Sequence, residues 1–187
     1  MEIKSLGIAE IKLVTPKIHR DARGFFSETY SRRDMAAAGI ATEFVQDNHA
    51  LSAAVGTLRG LHFQVPPHAQ GKLVRVTRGA VFDVAVDIRV GSPTFGRHVS
   101  AVLSAENWTQ IWVPPGFAHG YCTLEPDTEV IYKVTDYYAP DCDRGLQWDD
   151  ASLGIEWPLA RAGIMVSEKD RRQPSLQELP RAFVYEA

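Results

Sequence analysis

The chain has 187 residues, 45% of them hydrophobic and 23% charged, with a formal net charge of −3. That length holds one domain with a sizeable core, and the composition is that of a globular protein with no membrane-length apolar run. The slightly acidic balance argues against general nucleic-acid binding, although it leaves room for a local basic pocket that takes a phosphorylated small molecule.

In chain order, the opening MEIKSLGIAEIKL lacks the h-region of a signal peptide, so the cytoplasm is the expected compartment. Strands are predicted over 12–14 and 25–30, followed by a helix over 32–38 that Gly39 stops. Further strands are predicted over 43–48, 55–63 and 72–78, with Gly79 as a turn into 80–88. The last of these reads AVFDVAVDI. It puts Phe82, Val84, Val86 and Ile88 on one face and Asp83 and Asp87 on the other, the period of a half-buried strand. Strands over 98–103, 109–113, 120–124 and 129–136 follow, then a short helix over 175–179. Many short strands with frequent turn signals indicate an all-β sandwich or barrel, here a single domain over 1–187 with short peripheral helices. A double-sheet jelly roll fits best, because it wraps a pocket that polar strand residues can line. Cys122 and Cys142 make no disulfide framework and are read as reduced thiols.

Three polar clusters sit in strand-like or apolar surroundings: Arg59 to Gln64 (RGLHFQ), Trp112 to Gly120 (WVPPGFAHG) and Ser167 to Asp170 (SEKD). Lys72 and Tyr132 add polar groups inside predicted strands. Taken singly, each has an ordinary reading. A strand histidine such as His62 is usually a hydrogen-bonded surface residue, and Tyr132 a core aromatic with its hydroxyl at the rim. Lys72 would be solvated and Asp170 a turn cap. Together they suggest a pocket, since polar groups facing an apolar interior need partners. Pro114, Gly116 and His119 have the spacing of a second cupin motif. A metal-binding first motif is missing, because Gln64 stands where a second histidine would be and no glutamate follows before Lys72. The ligand set is too small, and metal binding is not expected.

Eight segments carry a family resemblance: DARGFFSETY (21–30), FVQDNHALS (44–52), LRGLHFQ (58–64), QGKLVRVTRGAVFDVAVDIR (70–89), WVPPGFAHG (112–120), YKVTDYYAP (132–140), RGLQWDD (144–150) and SEKD (167–170). In this order they resemble the dTDP-4-dehydrorhamnose 3,5-epimerase family, enzymes with a double-stranded β-helix (cupin jelly roll) fold. The resemblance implies a cofactor-free epimerisation of a dTDP-4-keto-6-deoxy sugar. It casts His62 as general base with Asp170 as its orienting partner, Tyr132 as the acid on the opposite sugar face, and Lys72 beside the developing enolate oxygen. It places Arg59, His119, Tyr138 and Lys169 near the substrate. Arg23, Phe26, Glu28, Gln46 and Asn48 fall in motifs tied to nucleotide and active-site contacts. It further implies a homodimer with exchanged N-terminal strands, in which some of these residues serve the neighbour.

The residue chemistry suits that reaction. Imidazole titrates near neutrality, a phenol carries a proton to deliver, and an ammonium stabilises an oxyanion. Arg23 and Arg59 carry guanidinium forks that match diphosphate oxygens. One feature conflicts with a simple strand: strict alternation sets Arg59 and His62 on opposite faces, so a shared pocket requires a bulge, for which Gly60 is the candidate. Three other readings stay open on sequence: an epimerase acting at carbon 3 or carbon 5 alone, a metal-dependent cupin oxygenase, and a non-catalytic sugar-nucleotide binding module.

Overall fold

The computed structural model describes residues 1–185. Thirteen strands run in the order β1 (Glu2–Ser5), β2 (Lys12–Thr15), β3 (Ile18–Asp21), β4 (Gly24–Ser27), β5 (Gln46–Ser52), β6 (Leu58–Gln64), β7 (Lys72–Arg78), β8 (Ala80–Asp87), β9 (His98–Ser104), β10 (Gln110–Val113), β11 (Phe117–Thr123), β12 (Thr128–Val134) and β13 (Asp143–Gly145), with one α-helix, α1 (Arg32–Ala37). A six-stranded sheet, β1-β2-β10-β7-β12-β5, faces a five-stranded sheet, β13-β6-β11-β8-β9, while β3 and β4 form a separate hairpin. The predicted all-β jelly roll is the observed class. The turn at Gly79, held at φ +74°, does not close a hairpin. It carries the chain from β7 in one sheet to β8 in the other, the crossing that makes a jelly roll enclose an interior.

The core has two main parts. Val74, Val76, Ile111 and Val130 of the six-stranded sheet meet Val81, Ala85, Phe117 and Tyr121 of the five-stranded sheet in the space between. Outside the five-stranded sheet, Leu61, Phe63, Val84, Val86 and Ala118 are covered by Leu146, Leu153 and side chains of the C-terminal segment such as Trp157 and Leu179. This second layer corrects the half-buried reading of β8. Asp83 and Asp87 are both fully buried, because the face bearing them looks into the sandwich and the apolar face is roofed by the C-terminal segment. Helix α1 starts at Ser31, whose hydroxyl accepts the Asp34 N–H, and packs Met35 against Val14, Leu73 and Trp112 on the outer face of the six-stranded sheet.

Boundaries shifted where turn chemistry was ambiguous. The predicted strand at 43–48 lies at Gln46–Ser52, and that at 25–30 is only Gly24–Ser27, paired with the unpredicted β3. Strands β1 and β13 were also not predicted. The helix expected at 175–179 is a single 3₁₀ turn, Leu176–Glu178, with a Ser175–Glu178 capping box.

Candidate active site

One end of the sandwich opens into a cavity of about 500 Å³ lined by Arg59, His62, Lys72, His119, Tyr121, Tyr132, Lys169 and Asp170 among others. An adjoining hollow of about 480 Å³ shares His62, Lys72, Tyr132 and Lys169, and adds Gln46, Asn48, Tyr138 and Asp143. Both volumes fall in the range of small-molecule sites.

The strand registers explain who faces inward. On β7, Lys72 and Val74 share a face. Tyr132 of β12 pairs with Val74 on one side and with Asn48 of β5 on the other, so Gln46, Asn48 and Tyr132 project the same way. The opposite wall comes from β6 and β11. There His62 pairs with His119 and Arg59 pairs with Tyr121: three steps along β6 match two along β11. The extra residue is a β-bulge centred on Gly60, which has φ +145° and whose added Cβ would lie 2.6 Å from Gly120 Cα. The bulge turns Arg59 and His62 to the same side, as the shared pocket requires.

His62 Nε2 lies 2.6 Å from Asp170 Oδ1. Asp170 arrives from far along the chain because the segment before it is stitched to β6: Met165 N–H donates to Gly56 O and Leu58 N–H to Met165 O, each at 2.8 Å. Burial raises the Asp170 pKa, but the bonds from His62, Ser167 and the Gly60 N–H outweigh it and hold the carboxyl below its ordinary range. Asp170 is therefore ionised near neutrality. An ionised carboxylate only accepts, so Nε2 carries the hydrogen shared with Asp170, and Nδ1 is the ring nitrogen not engaged by that bond.

Lys72 Nζ is 3.4 Å from the His62 carbonyl. Desolvation pushes the Lys72 ammonium down to about 8, against the pull of Asp143 and Asp83. Burial raises the Tyr132 phenol, with Arg59 opposing, and pushes Tyr121 up to about 12. Both phenols stay protonated at neutral pH. His119 Nε2 lies 2.9 Å from each oxygen of Asp83, a buried carboxylate whose pKa burial raises while His119 opposes the rise. Asp143 is bonded by the Lys169 ammonium and by the Tyr138 hydroxyl, the latter at 3.2 Å.

Of the residues singled out in the sequence, His62, Asp170, Lys72, Tyr132, Arg59, His119 and Lys169 meet around the cavity, with Gln46, Asn48 and Tyr138 in the adjoining hollow. Arg23, Phe26 and Glu28 do not line it. They lie on or just after the β3–β4 hairpin; Phe26 is 71% exposed, and Arg23 pairs with Asp21 at 2.6 Å. Asp83, Asp143 and Tyr121 were missed. Asp83 sat in an alternating pattern whose polar face reads as solvent-facing, and the others carried no signal before register was known. Among the described residues, no three His, Cys, Asp or Glu side chains are placed to hold a metal ion. Cys122 and Cys142 are free and buried.

A hydrophobic shell, a histidine–carboxylate pair, a lysine and a buried phenol around one cavity suit proton transfer at carbon beside a carbonyl. Comparisons with known proteins point the same way. A dTDP-4-dehydrorhamnose 3,5-epimerase family model matches residues 5–178. The dTDP-4-dehydrorhamnose 3,5-epimerase of Sinorhizobium fredii is 57% identical over 99% of this chain and 94% of its own. Among solved structures, the dTDP-6-deoxy-D-glucose-3,5-epimerase RmlC of Legionella pneumophila, in complex with dTDP-4-keto-L-rhamnose, superposes with a TM-score of 0.94 at 44% identity, over 100% of this chain and 99% of that one. ChmJ, a 3'-monoepimerase from Streptomyces bikiniensis in complex with dTDP-quinovose, has a TM-score of 0.85 at 34% identity, over 92% and 87%. Sequence and architecture agree along nearly the whole length, and the chain belongs to the dTDP-4-dehydrorhamnose 3,5-epimerase family.

Proposed function

We infer that this chain is a dTDP-4-dehydrorhamnose 3,5-epimerase, converting dTDP-4-dehydro-6-deoxy-D-glucose into dTDP-4-dehydro-L-rhamnose. The observation that carries the mechanism is that His62, bonded to ionised Asp170, and protonated Tyr132 stand on opposite sheets across one cavity, with the Lys72 ammonium beside them. The carbonyl at carbon 4 acidifies the hydrogens on carbons 3 and 5. In the glucose-configured chair both hydrogens are axial on the same face, so a single base reaches either one. His62 Nδ1 takes the proton, Asp170 stabilises the imidazolium, and Lys72 holds the enolate oxygen. Tyr132 returns a proton to the opposite face. One C–H bond breaks and another forms at each centre; the proton held by His62 passes to solvent and solvent reprotonates Tyr132 before the next inversion, so the balance closes without an oxidant or reductant.

Arg23, Phe26 and Glu28 lie away from this subunit's own cavity. That placement supports a homodimer in which the β3–β4 hairpin reaches the partner's site and contributes nucleotide contacts. A free nucleotide sugar as substrate fits a cytoplasmic enzyme.

The test is turnover of the dTDP-4-keto-6-deoxy sugar in deuterated water, coupled to a downstream 4-keto reductase and read by proton NMR. Deuterium at carbons 3 and 5, with a product of L-rhamno configuration, is expected. Label at carbon 3 alone would instead identify a single-centre epimerase.

A further inference from the structure

The cavity mouth holds a contact that the mechanism above does not use. Arg59 follows the turn of chain leading into β6, where the Gly60 bulge turns it inward. It then reaches across to the other sheet: its Nε–H donates to Ser52 Oγ and an Nη2–H to the Leu51 carbonyl, each at 3.2 Å. Ser52 ends β5, the edge strand of the six-stranded sheet, and its residue is only 3% exposed, whereas Arg59 is open to the cavity. The phenol of Tyr121, register partner of Arg59, flanks the same serine hydroxyl. No carboxylate pairs with the guanidinium among the described residues. Nη1 and the second Nη2–H are therefore uncommitted, in a cavity whose lining also includes Lys169.

A long, flexible arginine loses rotamer freedom when it grips an anion, and two fixed acceptors on its other edge remove that freedom in advance. We propose that Ser52 is a positioning residue: its hydroxyl, with the Leu51 carbonyl, aims Arg59 so that the free edge of the guanidinium meets the diphosphate of the nucleotide-linked substrate. The inference rests on the functional reading above and extends it to a residue that touches no reacting atom. Ser52 acts on ground-state binding, so its loss raises KM more than it lowers kcat.

The experiment measures kcat and KM for the dTDP-4-keto sugar and the Kd of dTDP by calorimetry, for the wild-type enzyme and for Ser52→Ala, Ser52→Thr, Arg59→Ala and the Ser52→Ala/Arg59→Ala double variant. Ser52→Ala is expected to raise KM and Kd about tenfold, the worth of one net hydrogen bond, with a much smaller change in kcat. Ser52→Thr, which keeps the hydroxyl, should restore both constants. In the Arg59→Ala background the serine change should cost nothing more, because it acts through the arginine. Unchanged constants in Ser52→Ala, or an equal loss with and without Arg59, would overturn the inference while the epimerase reading stood. A wild-type enzyme that neither binds dTDP nor turns over the keto sugar would remove the functional reading, and this inference with it.

Discussion

Lys72 combines two demands that pull against each other. On the proposed mechanism its charge stands beside an enolate oxygen, yet the wall that holds it strips away water and lowers its pKa to about 8. The ammonium exists below that value, so kcat should fall as pH rises through about 8, and a pH–rate profile would show that alkaline limb. In linkage terms the folded pKa lies below the unfolded one, so the protonated lysine destabilises the fold at pH values under about 8. That penalty fades as pH climbs toward the ordinary lysine range. Lys72→Met should accordingly raise the melting temperature at pH 7 while cutting kcat on the order of 10²–10³-fold. A variant less stable than wild type at pH 7 would contradict this account. Lys72 was recognisable in the sequence only through its motif, because a lysine in a strand gives no local sign of which way it points.

The element that decides the site is the bulge in β6. Alternation along LRGLHFQ was legible and so was the conflict it created, because Arg59 and His62 are an odd number of residues apart. Gly60 resolves the conflict: its backbone has a positive φ, its missing side chain lets Gly120 approach, and its N–H is free to bond Asp170. Gly60→Ala would force a Cβ within 2.6 Å of Gly120 Cα in a conformation that alanine rarely adopts. We expect a loss of at least about 2 kcal/mol in denaturant-monitored stability, together with loss of turnover as the Asp170 anchor shifts. Strand β8 shows the reverse case. Its period of two was read correctly, but not which face met water, because the residues that roof its apolar side, such as Trp157 and Leu179, come from the C-terminal segment.

At the scale of the whole molecule, the β3–β4 hairpin separates residues that motif order groups together. If Arg23 serves a partner's cavity, mixing Arg23→Ala and His62→Ala protomers should regenerate one intact site per mixed dimer. Activity should then reappear from two variants that are each nearly inactive, measured after co-refolding or co-expression. No recovery despite mixed dimers would place Arg23 outside the shared site. The all-β class was determined by the sequence itself, and motif order named the candidate site residues, because strand periodicity, turn residues and motif order are local properties. Which faces turn inward, that Asp83 is buried against His119, and that Asp170 reaches His62 from a distant segment were decided only by the tertiary structure. Sheet register and the docking of the C-terminal segment depend on long-range pairing, and a residue's neighbours along the chain do not specify that pairing.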